Sequence, residues 1–335
     1  MYYEDLSFSF ASLLRELEGT KVAVLGHARP DGDCIGSQIA LSRVLRASGM
    51  DAVCVNEDVV PRRLAFVVDA GEVLRARDYS PDGRLAITVD CADPTRIGDR
   101  LQTLFPKIFA NIDHHVSNTR YGENNLVDSN SSATAEILAG MFMDNSLPVD
   151  SVTAQGLYVG IATDTGQFRF PSTSPRVFDI CSRLLRSGAD PVIAFEEIYG
   201  SETMGKMRLL EAYLSTLHTE CGGRVCIGTL KEGIFEKTGS GPEDTEGLVD
   251  YARAIKGVDV AVLLEESADG VKGSLRAKDP AYRVDRVAAD FEGGGHACAA
   301  GFSAPMPLDE LYPKLIARLS KCFNDTMAPE EKNKE

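Results

Sequence analysis

Short apolar runs that stop at Gly, Asp or Pro, each followed by helically spaced apolar positions, dominate the first half of the chain. After an amphipathic opening helix, KVAVLG (Lys21 to Gly26) reads as a buried strand, and Asp33 to Ser48 as a helix. DAVCVNED, RLAITVD (Arg84 to Asp90) and PKIFANID (Pro106 to Asp113) repeat the strand signature. Strands alternating with helices predict an α/β layer with a largely parallel sheet flanked by helices. Helical patterns prevail from Ser131 to about Leu217, with Ser131 or Ser132 expected to cap ATAEILAGMF and Asp164 closing VTAQGLYVGIATDTG. From Gly222, GRVCIGTL, VDVAVLLEE and GVKGSLRA read as strands of a second, smaller α/β domain. The expected division is a first domain over 1–195, a connector helix over 196–219, a second domain over 220–325 and a disordered tail over 326–335.

Bulk properties narrow the function classes. At 335 residues and 44% apolar content the chain can fill two cores. No run nears the roughly 18 apolar residues of a membrane span, and the acidic start MYYEDLSFSF lacks the layout of a signal peptide. Eight scattered cysteines without a C-x-x-C pair fit a reducing, cytoplasmic setting. A formal charge of −15 argues against long duplex nucleic acid, because duplex affinity rests on many cationic contacts to phosphate. Any nucleic-acid ligand is therefore expected to be short.

The chemistry concentrates where the apolar runs end. In parallel sheets ligands collect at the carboxyl ends of the strands, and His27, Asp90 and Asp113 to His115 each follow the last apolar residue of a separate strand. Adding Asp31, Asp33 and Asp164 gives four carboxylates around three histidines, with Asp113 behind them as a fifth. Such a pocket repels itself unless cations are bound. Two divalent metal ions resolve the conflict, and imidazole among carboxylates suits Mn²⁺, with Mg²⁺, Co²⁺, Fe²⁺ or Zn²⁺ as alternatives. Two ions about 3.5–4 Å apart clamp a phosphoryl oxygen during phosphoester hydrolysis. Of the pair in NIDHHVSN, one histidine is expected to ligate while its neighbour faces substrate, with Asp113 fixing the ligand's tautomer.

HARPDGDCIGS, VDCAD, IDHHVSN and GIATDTGQFRF together resemble the four motifs of the DHH phosphoesterase superfamily, and GSLRAKDPAYRVDRVAADFEGGGHACAAGF resembles its associated C-terminal substrate domain. The likeness spans roughly residues 20–320 and points to the oligoribonuclease and 3′-phosphoadenosine-5′-phosphate (pAp) phosphatase group. It implies one metal held by His27, Asp31 and Asp90, and a second held by Asp33, Asp90, His114 and Asp164, with Asp90 bridging. His115 would contact the scissile phosphate, a water activated by the ions would attack, and Asp113 would support from behind. The implied substrates are very short RNA oligonucleotides, cut to nucleoside 5′-monophosphates, and pAp. Linear pApA or cyclic di-AMP, inorganic pyrophosphate, and binding without catalysis are the alternatives. A monomer or homodimer is expected.

The second domain offers a grip. Val271 to Arg286 carries Lys272, Arg276, Lys278, Arg283 and Arg286 against Asp279 and Asp285, a surplus of three positive charges in an acidic chain. Arg276 can present a bidentate fork to a phosphate. Gly293, Gly294 and Gly295 could let backbone N–H groups approach a phosphate, with His296 adding a donor. Glu292 stands where the resemblance calls for a fourth glycine.

Overall fold

The computed structural model describes residues 1–327 and divides into two compact units, the first covering Met1–Ser201 and the second beginning at Glu202. In the first, β1 (Lys21–Leu25), β2 (Asp51–Asn56), β3 (Val73–Arg75), β4 (Leu85–Val89), β5 (Ala110–Asp113) and β6 (Asn124–Val127) form one sheet. Its order is β3-β2-β1-β4-β5-β6, and every neighbouring pair is parallel. The strand order reverses between β1 and β4. That opens a crevice at their carboxyl ends, where ligands bind in doubly wound sheets.

Alternate residues of the central strands feed two cores. Val22 and Val24 of β1 join Ile87 and Val89 of β4 on one face, while Ala23 and Leu25 join Ala86 and Cys91 on the other. Both faces are covered, so these strands read as continuous apolar runs. Helices α1 (Glu4–Glu16), α2 (Gly32–Ala47), α3 (Asp99–Leu104), α4 (Thr134–Asp144), α5 (Ser151–Asp164), α6 (Pro175–Arg186) and α7 (Pro191–Phe195) complete the unit. Helices α2 and α5 pack backbone to backbone: a Cβ on Gly36 would lie 2.1 Å from the Gly156 carbonyl, and one on Gly160 would lie 2.8 Å from an Asp33 oxygen. These glycines bring Asp33, near the start of α2, beside the end of α5, which carries Asp164.

Two short strands, β3 and β6, escape the sequence pattern, because three or four residues with polar members carry too little periodicity. The expected serine cap is also absent. The N-cap position of α4 is Ala133, which makes no side-chain cap, and the first amides of the helix, Thr134 and Ala135, donate instead to the Asp33 carboxylate at 2.7 and 2.8 Å. The cap comes from a residue about a hundred positions earlier.

In the second unit, α8 (Met204–Ser215) is followed by β7 (His218–Glu220), β8 (Val225–Leu230), α9 (Ile234–Thr238), α10 (Leu248–Arg253), β9 (Val260–Ser267) and β10 (Gly270–Ala277). Then come α11 (Val284–Ala289), β11 (Gly294–His296), β12 (Ala299–Ala304) and α12 (Leu308–Met327). The sheet runs β11-β12-β10-β9-β8-β7 and is antiparallel except between β8 and β9. Helix α8, expected as a connector, packs Leu209 and Tyr213 into this unit's own core beside Cys226 and Leu263. Of the tail expected to be disordered, 326 and 327 belong to α12 and the rest lies outside the described residues.

Candidate metal centre

The sequence-singled residues of the first unit converge on the crevice between β1 and β4. His27 follows β1, Asp31 and Asp33 lie at the start of α2, Asp90 follows β4, Asp113 ends β5 with His114 and His115 next, and Asp164 ends α5. Three groups have ligand atoms within 4.8 Å of one another: His27, Asp31 and Asp90; Asp33, His114 and Asp164; and Asp90, His114 and His115. Asp90 joins them. Its Oδ2 lies 3.4 Å from His27 Nε2, while its Oδ1 lies 3.6 Å from both His114 Nε2 and His115 Nδ1.

Asp90 is held in an uncommon state. Its φ of 56° is left-handed, which costs a non-glycine residue about 1–2 kcal/mol and occurs preferentially at functional sites. Its amide donates to the Ile112 carbonyl at 3.0 Å, tying the end of β4 to β5. The Thr134 hydroxyl donates to Oδ1 at 3.2 Å.

His27 and His114 are each oriented by the nitrogen turned away from the carboxylates. His27 Nδ1 lies 2.9 Å from the Ala28 carbonyl and His114 Nδ1 lies 3.3 Å from the Ser131 carbonyl, so both rings aim Nε2 inward. His114 Nε2 is buried and has no hydrogen-bond partner, with Asp164 3.2 Å and Asp33 3.9 Å away. An orphaned imidazole nitrogen facing three carboxylates fits a cation. Asp113 pairs differently from expectation. Its Oδ1 takes His115 Nδ1 at 2.8 Å and its other oxygen takes the Asn118 amide, so it orients the second histidine of the pair, while a main-chain carbonyl orients the first.

Electrostatics tell the same story. Burial works against charge on the His27 ring, but Cys34, Asp31 and Asp90 hold its pKa well above the ordinary range. Burial likewise opposes a charged His114, yet Asp164, Asp33 and Asp90 raise it to about 10. Desolvation notwithstanding, the His27 ring keeps Asp31 at about 2. Asp33 is pushed well up by burial and by the Asp90 and Asp164 charges, and Asp164 rises to about 6, chiefly through burial. Protons gather where positive charge is wanted, and a metal ion would displace them.

In the second unit, Arg276 lies within β10 rather than after it, directly opposite Ala299 of β12, and His296 of β11 is opposite Ala299 from the other side. Residues in register share a face. Arg276 and His296 therefore stand two strands apart on one face, roughly 10 Å between backbones. The glycines divide in role. A Cβ at Gly293 would lie 2.2 Å from the Gly301 carbonyl and one at Gly295 2.5 Å from the Ala299 carbonyl, so both serve close strand packing, whereas Gly294 is open. Glu292 has a φ of 60°, a conformation that favours glycine. Arg283 pairs with Asp285 and Lys278 bonds the Ile255 carbonyl, so these two are engaged elsewhere, while Arg276 and His296 flank Ala299 on one face.

Three contributors were missed by the sequence reading: Thr134, Asn118 and the Ser131 carbonyl. Asn118 lies inside the quoted NIDHHVSN, but a carbonyl has no sequence signal at all.

The chain matches the DHH family, N-terminal domain, over residues 21–161 and the DHHA1 domain over 222–325. It is 30% identical to the bifunctional oligoribonuclease and PAP phosphatase NrnA of Thermus thermophilus, over 94% of this chain and 93% of that one. The NrnA of Bacillus subtilis is 26% identical over 83% of this chain and 87% of its own. A crystal structure of an exopolyphosphatase-related protein from Bacteroides fragilis shares the fold, with a TM-score of 0.87, 22% identity and coverage of 96% and 98%. Motifs, the two sheets and the family matches all agree: the chain belongs to the DHH family of phosphoesterases, a DHH domain followed by a DHHA1 domain.

Proposed function

We propose that this protein is a divalent-metal-dependent phosphodiesterase that hydrolyses very short RNA oligonucleotides to nucleoside 5′-monophosphates and also removes the 3′-phosphate of pAp. The observation that carries the reading is Asp90, whose two oxygens face two separate histidine and carboxylate clusters. His27, Asp31 and Asp90 would hold one ion, and Asp33, Asp90, His114 and Asp164 the other. Two such ions, Mn²⁺ foremost because imidazole joins carboxylate in the donor set, would supply charge neutralisation and Lewis acidity at this site. His115, its Nδ1 fixed by Asp113, turns Nε2 toward the phosphate. Arg276 and His296, with the open amide of Gly294, hold the substrate's phosphate in the DHHA1 domain. The names of the two NrnA relatives support both activities.

Eight free cysteines fit a cytoplasmic enzyme, and among the described residues no helix is long and apolar enough to cross a membrane. A product time course with metal-stripped protein and Mn²⁺ tests the reading. Diribonucleotides, pentaribonucleotides, a long oligonucleotide, pAp, cyclic di-AMP and pyrophosphate run in parallel, with Asp90→Ala as control. Monophosphate release from the short RNAs, lost in the control, is expected. Turnover of cyclic di-AMP alone would replace the substrate, and silence on every compound would overturn the reading.

A further inference from the structure

Behind His114 lies a polar cluster that none of the roles above uses. The Ser131 hydroxyl donates to Asp128 at 2.9 Å and accepts from the Tyr3 phenol at 2.7 Å and from an Arg176 nitrogen at 3.3 Å. Arg176 also donates Nε to Glu136 at 2.7 Å and lies 4.3 Å above the Tyr3 ring. The other Glu136 oxygen takes both the amide and the hydroxyl of Ser132, at 2.6 and 2.8 Å. Glu136 is fully buried, Ser131 and Ser132 nearly so, and Tyr3 is 6% exposed. Burial raises the Tyr3 pKa and keeps the phenol a donor.

These groups come from three parts of the unit. Tyr3 precedes α1, with its amide held by Asp144 at 2.9 Å; Glu136 lies in the first turn of α4; Arg176 lies in the first turn of α6. They meet on the Ser131–Ser132 turn, whose Ser131 carbonyl faces His114 Nδ1. A buried charged residue persists only when its partners are good, and here Tyr3, Glu136 and Arg176 each bond that one turn. We propose that Tyr3, Glu136 and Arg176 are positioning residues of the metal centre: they fix the Ser131 carbonyl and thereby aim His114 Nε2 at its ion. The inference rests on the reading of His114 as a ligand. It makes the strength of one metal position depend on residues that touch neither metal nor substrate.

Mn²⁺ titration of metal-stripped protein, followed by electron paramagnetic resonance and calorimetry, tests this without reference to turnover. Wild type is expected to bind two ions. Arg176→Met should weaken one of them about 10–100-fold, the range for lost outer partners of a metal ligand, and leave the other unchanged. Arg176→Lys should not restore it, because a single ammonium cannot reproduce the planar fork between Glu136 and Ser131. Tyr3→Phe keeps the ring under Arg176 and removes only the hydroxyl, so the same ion should weaken by a smaller factor. Should Arg176→Met fail to fold, Tyr3→Phe decides alone. Wild-type affinity at both positions in a folded Arg176→Met or, failing that, in Tyr3→Phe overturns the inference. A wild type that binds no ion would overturn the metal-centre reading itself.

Discussion

The metal centre and the glycine loop hold charge in opposite ways. In the first unit, Asp33, Asp90 and His27 are almost completely buried, and the His27, His114 and Asp33 side chains are each tied to main-chain groups. In the second, Gly294, Gly295 and His296 are exposed on an edge strand, and Arg276 is half-buried and donates to its own strand, at the Leu275 carbonyl. A site that must hold hard cations needs preorganised carboxylates screened from water. One that grips and releases a polyanion needs solvated donors with little to rearrange. The difference teaches which changes should be absolute and which graded.

The largest effect is expected at Asp90. Asp90→Asn removes the shared carboxylate charge from both clusters, and turnover of a diribonucleotide should fall by more than about 10²–10³-fold, the loss typical when a main electrostatic group of the transition state is removed. Circular dichroism should show an intact fold. Retention of a tenth of the activity would break the contrast, because the buried site would then be as tolerant as the open one.

Next comes the proton linkage of metal binding. Without an ion, His27 and His114 are held protonated, the latter up to about 10, so an ion must displace their protons. Affinity should therefore rise with pH, about tenfold per unit for each proton released, and fall as pH drops from 8 to 6. Calorimetry in buffers of different ionisation enthalpy counts the protons directly. Affinity that is flat over that range would mean the rings are neutral before the ion arrives.

Arg276→Ala is expected to raise KM for a diribonucleotide roughly 10–100-fold, from the loss of a charged hydrogen bond of about 1.5–3 kcal/mol, while kcat holds. A fall in kcat with unchanged KM would move Arg276 from gripping to chemistry. The smallest effect belongs to Glu292. Relief of its left-handed backbone in Glu292→Gly should stabilise the protein by about 0.5–1 kcal/mol, read as a higher denaturant midpoint.

Legibility in the sequence differed between the two units for a physical reason. The central strands β1, β4 and β5 announce themselves as apolar runs that end beside the polar residues of the crevice, so His27, Asp90 and Asp113 to His115 could be found by reading strand ends. β11 and β12 carry no such run. GGGHACAAGF has small residues because strands approach closely, and that packing reason is indistinguishable in sequence from a phosphate-binding one.

What the sequence determined by itself was the inventory: two α/β domains, the run of carboxylates and histidines at the ends of strands, and the cationic segment in an acidic chain. Those follow from periodicity and composition, which are local. The tertiary structure alone decided the partnerships. Asp33 caps a helix far along the chain, Asp113 orients His115 rather than His114, and His114 answers to a serine carbonyl whose position depends on Tyr3 and Arg176. A hydrogen bond is set by distance and direction in space, and those groups, far apart in the chain, meet only where the sheet, the α2–α5 glycine contact and the Arg176–Glu136 pair place them.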